Sequence, residues 1–169
     1  ASLMGLGAYT KVVGDGGLTV HRRSPIPVTT GNSYTVATSM WAAREVLNRL
    51  GLLRLEPNQR RFMATAIIIG ATGSIGRVSA MLAALTFSRI VLVATRIDRL
   101  LEVQAELRAQ YPEVEVVVTT DASNEVGGAD LIVTATSNAG GSSLFSMALV
   151  KPGAVVCDAS RPLDISRAE

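Results

Sequence analysis

The chain has 169 residues, 48% of them hydrophobic, and its 16 Lys and Arg residues against 14 Asp and Glu leave a formal net charge of +2. This length is sufficient for one domain of ordinary size with a well-developed core. One Trp, three Tyr and three Phe residues and so small a charge do not suggest the stacking aromatics and basic surface of nucleic-acid-binding proteins, so we expect no nucleic acid partner.

The rare residue types narrow the chemistry further. Cys157 is the single cysteine and His21 the single histidine, which argues against an internal disulfide and a transition-metal site. The longest apolar-rich stretch, residues 78–87, is too short to cross a bilayer. We therefore expect a cytoplasmic protein without an integral membrane segment or a bound metal. Because the chain opens without Met and in mid-pattern, we also expect it to be a piece of a longer protein.

The first third of the chain predicts a β-hairpin, a connector and a helix. Residues 8–13 and 18–20 are β-prone and flank the pair Asp15-Gly16, which is typical of a hairpin turn. The prolines in residues 21–28 predict an extended loop. A helix is expected from Asn32 or Ser33 to Gly51, because apolar side chains recur there at helical spacing. Residues 52–64 read as an irregular linker with solvated arginines.

Residues 67–76 (IIIGATGSIG) form an apolar β-branched run that stops at a glycine and restarts as a helix. In this pattern Gly70 allows a tight turn, Gly73 lets a pyrophosphate approach the backbone, and Gly76 lets the helix pack closely on the sheet. Amides at the start of the helix then face the phosphates. The stretch predicts the dinucleotide-binding turn of a Rossmann fold, with an ordinary strand-to-helix loop as the alternative.

Strands and helices alternate after this turn. Helices are predicted at 74–87 and 98–110, and a short turn or helix at 124–129. The apolar runs that read as strands are residues 89–94, 114–119, 130–135 and 154–157. Such runs indicate a parallel sheet covered on both faces. We predict an α/β, doubly wound parallel sheet with five strands in the order 3-2-1-4-5.

The end of the second strand of this unit indicates which cofactor is bound. NAD-selective Rossmann units carry a carboxylate there to bind the ribose 2′-hydroxyl. This chain has Thr95-Arg96 instead, and its first carboxylate, Asp98, comes one to two residues late. Thr95 can donate a hydrogen bond and Arg96 can clamp a 2′-phosphate, which favours NADPH, with Arg77 as a second cation. Alternatively, Arg96 simply lies in the first turn of the next helix.

Polar residues at the ends of the later strands complete the candidate site. The segment 134–137 (TATS) is expected to line the nicotinamide ribose, or else only to cap its strand. Cys157 reads as an apolar filler rather than a nucleophile, and Asp158 as a polar contact. The predicted cofactor-binding residues are Gly70, Ala71, Thr72, Gly73, Ser74, Ile75, Gly76, Thr95, Arg96, Thr134, Ala135, Thr136, Ser137 and Asp158.

Two wider patterns resemble known families. The order of elements, with residues 7–16 (GAYTKVVGDG) and 29–32 (TTGN), resembles the second half of the shikimate dehydrogenase family, whose catalytic Asp would fall at Gly31. Four blocks are more similar to the aldehyde-forming long-chain fatty acyl-[acyl-carrier-protein] reductase family. They are residues 6–10 (LGAYT), the TTGN block with Thr35, the glycine turn, and Lys151-Pro152 leading to Asp158.

The second resemblance implies an enzyme that takes a fatty acyl group from acyl-carrier protein or coenzyme A onto a cysteine and reduces the thioester to an aldehyde with NADPH. That cysteine would lie in a later segment, so the catalytic residue is unknown. A homo-oligomer is possible. On this basis residues 1–63 are left from a substrate domain and residues 64–169 form the NADP-binding domain. Substrate-side candidates are Lys11, Thr30 and Asn32. The alternatives are a shikimate- or quinate-type NADP dehydrogenase and a non-catalytic NADP-binding sensor.

Overall fold

The computed structural model describes residues 2–7, 15, 17–53, 60–136, 144–160 and 163–165. The chain forms two compact units, Ala1–Thr35 and Val36–Glu169. The domain boundary expected at residue 63 stays a prediction.

The first unit contains a small parallel sheet and a short helix. Strand β1 (Met4–Gly5) pairs with β2 (Val28–Thr29), and helix α1 spans Leu18–Arg23. The predicted second hairpin strand at 18–20 is therefore wrong, while the first hairpin strand lies outside the described residues. The predicted loop at 21–28 is confirmed for residues 24–27 only, since α1 extends to Arg23 and β2 begins at Val28. The physical reason is Asp15, whose carboxylate accepts the Thr19 N–H at 2.9 Å and its hydroxyl at 2.7 Å. These bonds satisfy groups at the start of a helix, where amides lack intrahelical partners.

Helix α2 (Asn32–Arg49) begins where the sequence predicts it. Gly51 follows with φ +66°, a left-handed conformation that ends helices readily. The buried side chains of α2 recur at helical spacing and join the larger hydrophobic cluster; they are Val36, Met40, Ala43 and Leu47.

The second unit is built on a five-stranded parallel sheet. Its strands are β3 (Phe62–Ile69), β4 (Phe87–Val93), β5 (Glu115–Thr119), β6 (Leu131–Thr134) and β7 (Val155–Asp158). They lie in the order β5-β4-β3-β6-β7, which confirms the predicted 3-2-1-4-5 order. Ile69 pairs with Val93 on one side and with Thr134 on the other, so the carboxyl ends of three central strands are level.

Helices α3 (Ser74–Ala84) and α4 (Ile97–Gln110) connect the first three of these strands. The prediction that α3 continues to Phe87 is wrong. Phe87 begins β4 instead, is buried, and packs on the Phe62 ring with 6.1 Å between centroids. An apolar side chain at a helix end serves equally well as the first core residue of the next strand, so periodicity alone does not place this boundary.

Alternate residues of the central strands feed two hydrophobic clusters, one on each sheet face. Ile68 and Leu92 belong to the cluster that contains side chains of α2, α3 and α4. Ile67 and Val91 belong to the other, with Val126 of a 3-10 turn. Both faces are covered, as expected for a parallel sheet.

Arg61 is not a solvated linker residue. Its Nη1 lies 2.6 Å from a Glu113 carboxylate oxygen and its Nε donates to the Ala84 carbonyl at 2.6 Å. The guanidinium also lies 5.8 Å from the centroid of the Tyr111 ring. Arg61 thus ties the start of β3 to the ends of α3 and α4, which corrects the sequence interpretation of this arginine.

Candidate dinucleotide-binding site

The glycine turn between β3 and α3 has the backbone geometry that its spacing predicts. Gly70 has φ +85°, and a Cβ on it would lie 2.6 Å from the Ala135 carbonyl oxygen. A Cβ on Gly76 would lie only 2.1 Å from the Gly70 carbonyl oxygen. Both positions require glycine, the first for the turn and the second for close packing of α3 on that turn.

Gly73 has a different role from the other two glycines. It is the residue before α3, is exposed, and donates its N–H to the Gly70 carbonyl at 3.0 Å. A Cβ there would meet that carbonyl oxygen at 3.3 Å, which is tight but not prohibitive. Because Gly73 carries no capping side chain, the amino end of α3 opens directly onto the cleft beside it.

A cleft of about 570 Å³ lies over the carboxyl ends of four neighbouring strands. This volume is in the range typical of small-molecule and cofactor sites. The order in which strands are added to the sheet reverses at β3, since β4 and β5 lie on one side of it and β6 and β7 on the other. The cleft therefore occupies the switch point at which doubly wound sheets bind ligands. The lining residues are Ile69, Gly70, Thr72, Gly73, Val93, Ala94, Thr95, Thr120, Asp121, Ala122, Ala135, Thr136 and Leu144.

The structure brings six of the predicted cofactor-binding residues to this cleft. Ser74 is exposed at the helix start, Ile75 packs against the core, and Ala71 and Thr134 are buried. Ser137 lies outside the described residues. The six that line the cleft are Gly70, Thr72, Gly73, Thr95, Ala135 and Thr136.

The two cations proposed for a 2′-phosphate differ in their surroundings. Arg96 is exposed immediately before α4, next to the cleft residue Thr95. Among the described residues no ion pair engages it. Arg77 is paired with Glu106 of α4 by its Nη2. The geometry therefore favours Arg96 over Arg77 as a group available to a ligand.

Asp121 lies in the cleft and was not among the predicted site residues. Its carboxylate accepts the Ser123 N–H at 2.9 Å, and this hydrogen bond lowers the pKa of Asp121 below its ordinary value. The rule that ligands bind beyond the carboxyl ends of strands would have pointed to it, because it follows β5 by two residues.

Asp158 binds backbone groups of the segment that follows β7. Its carboxylate accepts the N–H groups of Ser160 at 2.9 Å and Ile165 at 3.0 Å. Burial by itself raises the pKa of Asp158, but these hydrogen bonds outweigh it and leave the pKa below 3.8. Asp158 is not among the residues that line the cleft, so its contact with a cofactor stays a prediction.

Thr134 faces the same carboxylate from the neighbouring strand, where it is the register partner of Asp158. Its hydroxyl also lowers the pKa of Asp158. Within the described part of the chain, Thr134 Oγ1 is the one buried side-chain polar atom without a hydrogen-bond partner of normal geometry.

Cys157 is half-buried and packs against the larger hydrophobic cluster. Burial raises the pKa of this thiol above 9.0, and the negative charge of Asp158 raises it further, while a hydrogen bond with Ser39 opposes them. The thiol therefore stays protonated at neutral pH, which makes it a poor nucleophile.

The substrate-side candidates belong to the first unit. Thr30 and Asn32 are half-buried there, and Asn32 is the first residue of α2. Lys11 lies outside the described residues. Their role with substrate stays a prediction.

No group of three or more metal-ligating side chains occurs within the described ranges. Across those same residues, the helices are too short or too polar to span a membrane.

The parallel sheet, the glycine turn and the switch-point cleft together define a Rossmann-type domain of the kind that dehydrogenases use. The model of the ornithine cyclodeaminase/mu-crystallin family matches residues 56–162. The chain belongs to this family.

One curated relative matches almost the whole chain. The chain is 33% identical over 167 residues to Aminotransferase PigE of Serratia sp., a match that covers 98% of this chain and 18% of the relative. The chain thus spans less than a fifth of the length of this curated relative.

Two solved structures share this fold over most of the chain. Shikimate 5-dehydrogenase from Listeria monocytogenes, in complex with shikimate and NAD, matches with a TM-score of 0.56 and 13% identity over 92% of this chain and 77% of its own. A dipicolinate synthase polypeptide from Bacillus halodurans matches with a TM-score of 0.56 and 13% identity over 96% of this chain and 53% of its own. At this identity the likeness concerns the fold alone.

The resemblance to fatty acyl-[acyl-carrier-protein] reductases is wrong. The family match over residues 56–162 places the chain in the ornithine cyclodeaminase/mu-crystallin family instead. The motifs behind the resemblance were short blocks, and the glycine turn, which is the longest of them, serves phosphate binding in many oxidoreductases.

Proposed function

We propose that this chain is the NADP(H)-binding portion of an oxidoreductase-like enzyme. The observation that carries the proposal is the glycine turn, where a Cβ at position 76 would lie 2.1 Å from the Gly70 carbonyl and Gly73 leaves the start of α3 open to the cleft. Backbone amides and the helix dipole at such a position favour a pyrophosphate. When bound, the nicotinamide ring gives or takes a hydride.

Different residues in and beside the cleft would hold different parts of such a ligand. The amino end of α3 and Gly73 would hold the pyrophosphate. Thr95 and Arg96, after β4, would hold the adenosine ribose and its 2′-phosphate. Ala135 and Thr136, after β6, would lie beside the nicotinamide nucleotide. In this proposal residues 64–169 are the cofactor domain, and the substrate is bound mainly by other parts of the longer protein.

Thr95 and Arg96 are the basis for proposing a preference for NADPH over NADH. The segment after β4 presents a threonine and an exposed arginine, and its first acidic residue, Asp98, lies within α4. The planar guanidinium of Arg96 offers a fork of donors to a phosphate, and bonds of this charge-assisted kind are the strong ones.

Isothermal titration of the 169-residue chain with NADPH and NADH tests the cofactor preference. We expect NADPH to bind at least about tenfold more tightly, a difference of about 1.4 kcal/mol. The Arg96→Ala variant should lose most of that difference. Arg49→Ala is the matched control, because Arg49 is an exposed arginine on α2 paired with Glu45 and far removed in sequence from the glycine turn. Equal affinities for both cofactors in the unmodified chain would contradict the NADP assignment.

A non-catalytic NADP sensor is the second candidate. Among the described residues that line the cleft, Asp121 is the one with an ionisable side chain. Its lowered pKa leaves the carboxyl ionised at neutral pH, so it has no proton to donate as a general acid. A cleft with this lining would bind a dinucleotide without supplying a proton to a substrate. Oxidation of bound NADPH by the full-length protein in the presence of candidate carbonyl substrates would favour the enzyme, whereas binding without turnover would favour the sensor.

A further inference from the structure

The carboxylate of Asp121 has a defined position in the cleft, although the residue is exposed. Its backbone is held by Thr119 at the end of β5, whose hydroxyl accepts the Asp121 N–H at 3.1 Å and donates to the Asp121 carbonyl at 3.0 Å. Its side chain is held by Ser123, whose N–H donates to Asp121 Oδ1 at 2.9 Å. A ligand in the cleft therefore meets a carboxylate that is already in place.

The strand register places Asp121 next to Thr95. Val93 at the end of β4 pairs with Ile69 of β3 on one side and with Thr119 of β5 on the other. Thr95 and Asp121 each follow their strand end by two residues, both line the cleft, and neighbouring strands lie about 4.8 Å apart. Asp121 is thus one strand farther than Thr95 from the glycine turn that follows β3.

This order of residues matches the order of groups in the adenosine half of NADPH. In the proposed function the pyrophosphate lies at the glycine turn, and the ribose with its 2′-phosphate lies at Thr95 and Arg96. The adenine base is the terminal group of this half, so it would lie over the end of the next strand, β5, which Asp121 follows. Ala94 and Ala122 also line the cleft and offer apolar contact to the faces of the ring.

The hydrogen-bonding chemistry of Asp121 suits the edge of adenine. Ser123 lowers the pKa of Asp121 below 3.8 through its N–H and its hydroxyl, so the carboxyl is ionised at neutral pH. An ionised carboxylate only accepts hydrogen bonds and has about four lone-pair sites, of which Ser123 takes two. The 6-amino group of adenine only donates. A 2′-phosphate is negatively charged and would be repelled, which favours the base as the group that Asp121 meets.

The other polar side chains of the cleft do not make this distinction. Among the described lining residues they are the threonines 72, 95, 120 and 136. A threonine hydroxyl can donate or accept, so it binds an amino group or a carbonyl oxygen equally well. Within the described part of the chain, no ion pair engages Asp121. Its carboxylate is therefore the group that can separate a 6-amino base from a 6-oxo base.

We propose that Asp121 is a specificity-determining residue that selects adenine in the bound dinucleotide by accepting a hydrogen bond from the 6-amino group of the base. This inference rests on the proposed function and deepens it. It implies that the chain discriminates against dinucleotides whose base carries a carbonyl oxygen at this position, such as hypoxanthine.

The reduced form of nicotinamide hypoxanthine dinucleotide phosphate tests the inference directly. A carbonyl oxygen replaces the 6-amino group in this analogue, whereas the 2′-phosphate, the riboses and the nicotinamide are those of NADPH. The measurement is the ratio of the dissociation constants of the analogue and of NADPH, from isothermal titration of the 169-residue chain at pH 7. We expect a ratio of at least about ten, because a hydrogen bond to a charged group is lost and an oxygen faces the carboxylate.

Two variants of Asp121 separate base recognition from support of the turn. Asp121→Asn keeps an oxygen for the Ser123 N–H and presents an amide N–H to the base, which suits the carbonyl of the analogue. The ratio should fall to about one or below it. Asp121→Ser also keeps an acceptor for the turn, but its side chain is too short to reach the base and should give a ratio of about one. The second variant decides the matter if the first does not fold, as judged by circular dichroism.

Asp98→Asn is the matched control. Asp98 is an exposed carboxylate in the first turn of α4, three residues after Thr95, and it is not among the described residues that line the cleft. Its replacement removes the same charge near the same strand end. Both ligands carry the same 2′-phosphate, so an effect of charge alone changes both affinities and leaves their ratio unchanged.

The outcomes are distinct. Tight NADPH binding with a ratio of one in the unmodified chain overturns this inference alone, as does a tenfold ratio that persists in Asp121→Asn or Asp121→Ser. The latter result would mean that Asp121 meets the ribose or no part of the ligand. A lack of NADPH binding by the unmodified chain overturns the proposed function and the inference together. A tenfold ratio that is lost in both Asp121 variants and kept in Asp98→Asn supports the inference.

Discussion

Gly76 shows most directly how a single residue holds the glycine turn together. The residue is buried, and an alanine there would place its Cβ 2.1 Å from the Gly70 carbonyl oxygen, which is backbone and cannot move aside without displacing α3. We expect Gly76→Ala to lower the free energy of unfolding by about 1 to 3 kcal/mol, as overpacking of a tight site does. It should also weaken NADPH binding, because α3 carries the amides that hold the pyrophosphate.

Urea denaturation with and without NADPH measures both effects. Gly128→Ala is the control, since nothing lies within 4 Å of a Cβ built on Gly128. Exposed substitutions of this type usually change stability by less than about 0.5 kcal/mol. A Gly76→Ala protein as stable as the unmodified chain would show that the turn tolerates a side chain and that the sequence interpretation of this glycine is mistaken.

At the scale of single residues the sequence identified the glycines but not the hydrogen bond between the cleft residue Thr136 and Asp164. The glycines belong to one continuous stretch in which spacing determines geometry. Thr136 and Asp164 are 28 residues apart, and their contact depends on how the segment after β7 folds back over the end of β6. The sequence offered a weak signal in the spacing of Asp158, Ser160 and Asp164, which resembles that of any polar loop.

The segment after β7 is an element whose stability should depend on pH. Asp158 accepts two backbone N–H groups from it, at Ser160 and Ile165, and its pKa is lowered as a result. A lowered pKa means that the folded state binds this proton less readily than the unfolded state. The contribution of Asp158 is therefore complete above the ordinary value of 3.8 and is lost as the pH falls below it.

We expect Asp158→Asn to lower stability at pH 7 and to lower it progressively less as the pH falls below the ordinary value of 3.8, because the charge that holds the backbone N–H groups is then lost. Thermal unfolding followed by circular dichroism between pH 2 and pH 7 checks this. Asp98→Asn serves as the control, because Asp98 is exposed on α4 and no hydrogen bond to its side chain is found in the described part of the chain. An identical loss of stability at both pH values would mean that packing of the side chain matters and its charge does not.

Elements were predicted well where one physical cause dominated. The β-branched runs at β3 and β4 and the amphipathic α4 specify their own type, and parallel connections through helices then fix the strand order. The hairpin prediction failed because the Asp15-Gly16 pair suits a turn and a helix start equally well. Only the structure shows that the Asp15 carboxylate binds Thr19 and so begins α1.

At the scale of the whole chain, the fold followed from the sequence pattern but the family did not. A Rossmann unit is specified by alternating strands, helices and one glycine turn, and many unrelated chemistries use it. Short blocks such as LGAYT misled the assignment, whereas the family match extends over residues 56–162 and includes all five strands of the sheet. Function on such a fold has to be argued from the residues around its cleft.

Binding at the switch point should be visible in the behaviour of the whole chain. A ligand that binds only the folded state adds about 2.7 kcal/mol to the unfolding free energy at one hundred times its dissociation constant. We therefore expect saturating NADPH to raise the midpoint of thermal unfolding, and Arg96→Ala to require a higher NADPH concentration for the same rise.

Amide hydrogen exchange shows where that stabilisation acts. Protection by NADPH should concentrate at the carboxyl ends of the strands, in residues 70–76, 93–96 and 134–136, because these segments contain residues that line the cleft. Residues 62–65 and 130–131, at the amino ends of β3 and β6, provide the internal comparison. Equal protection at both ends of the sheet would indicate general stabilisation without a site at the switch point, and protection confined to the amino ends would place the ligand elsewhere on the molecule.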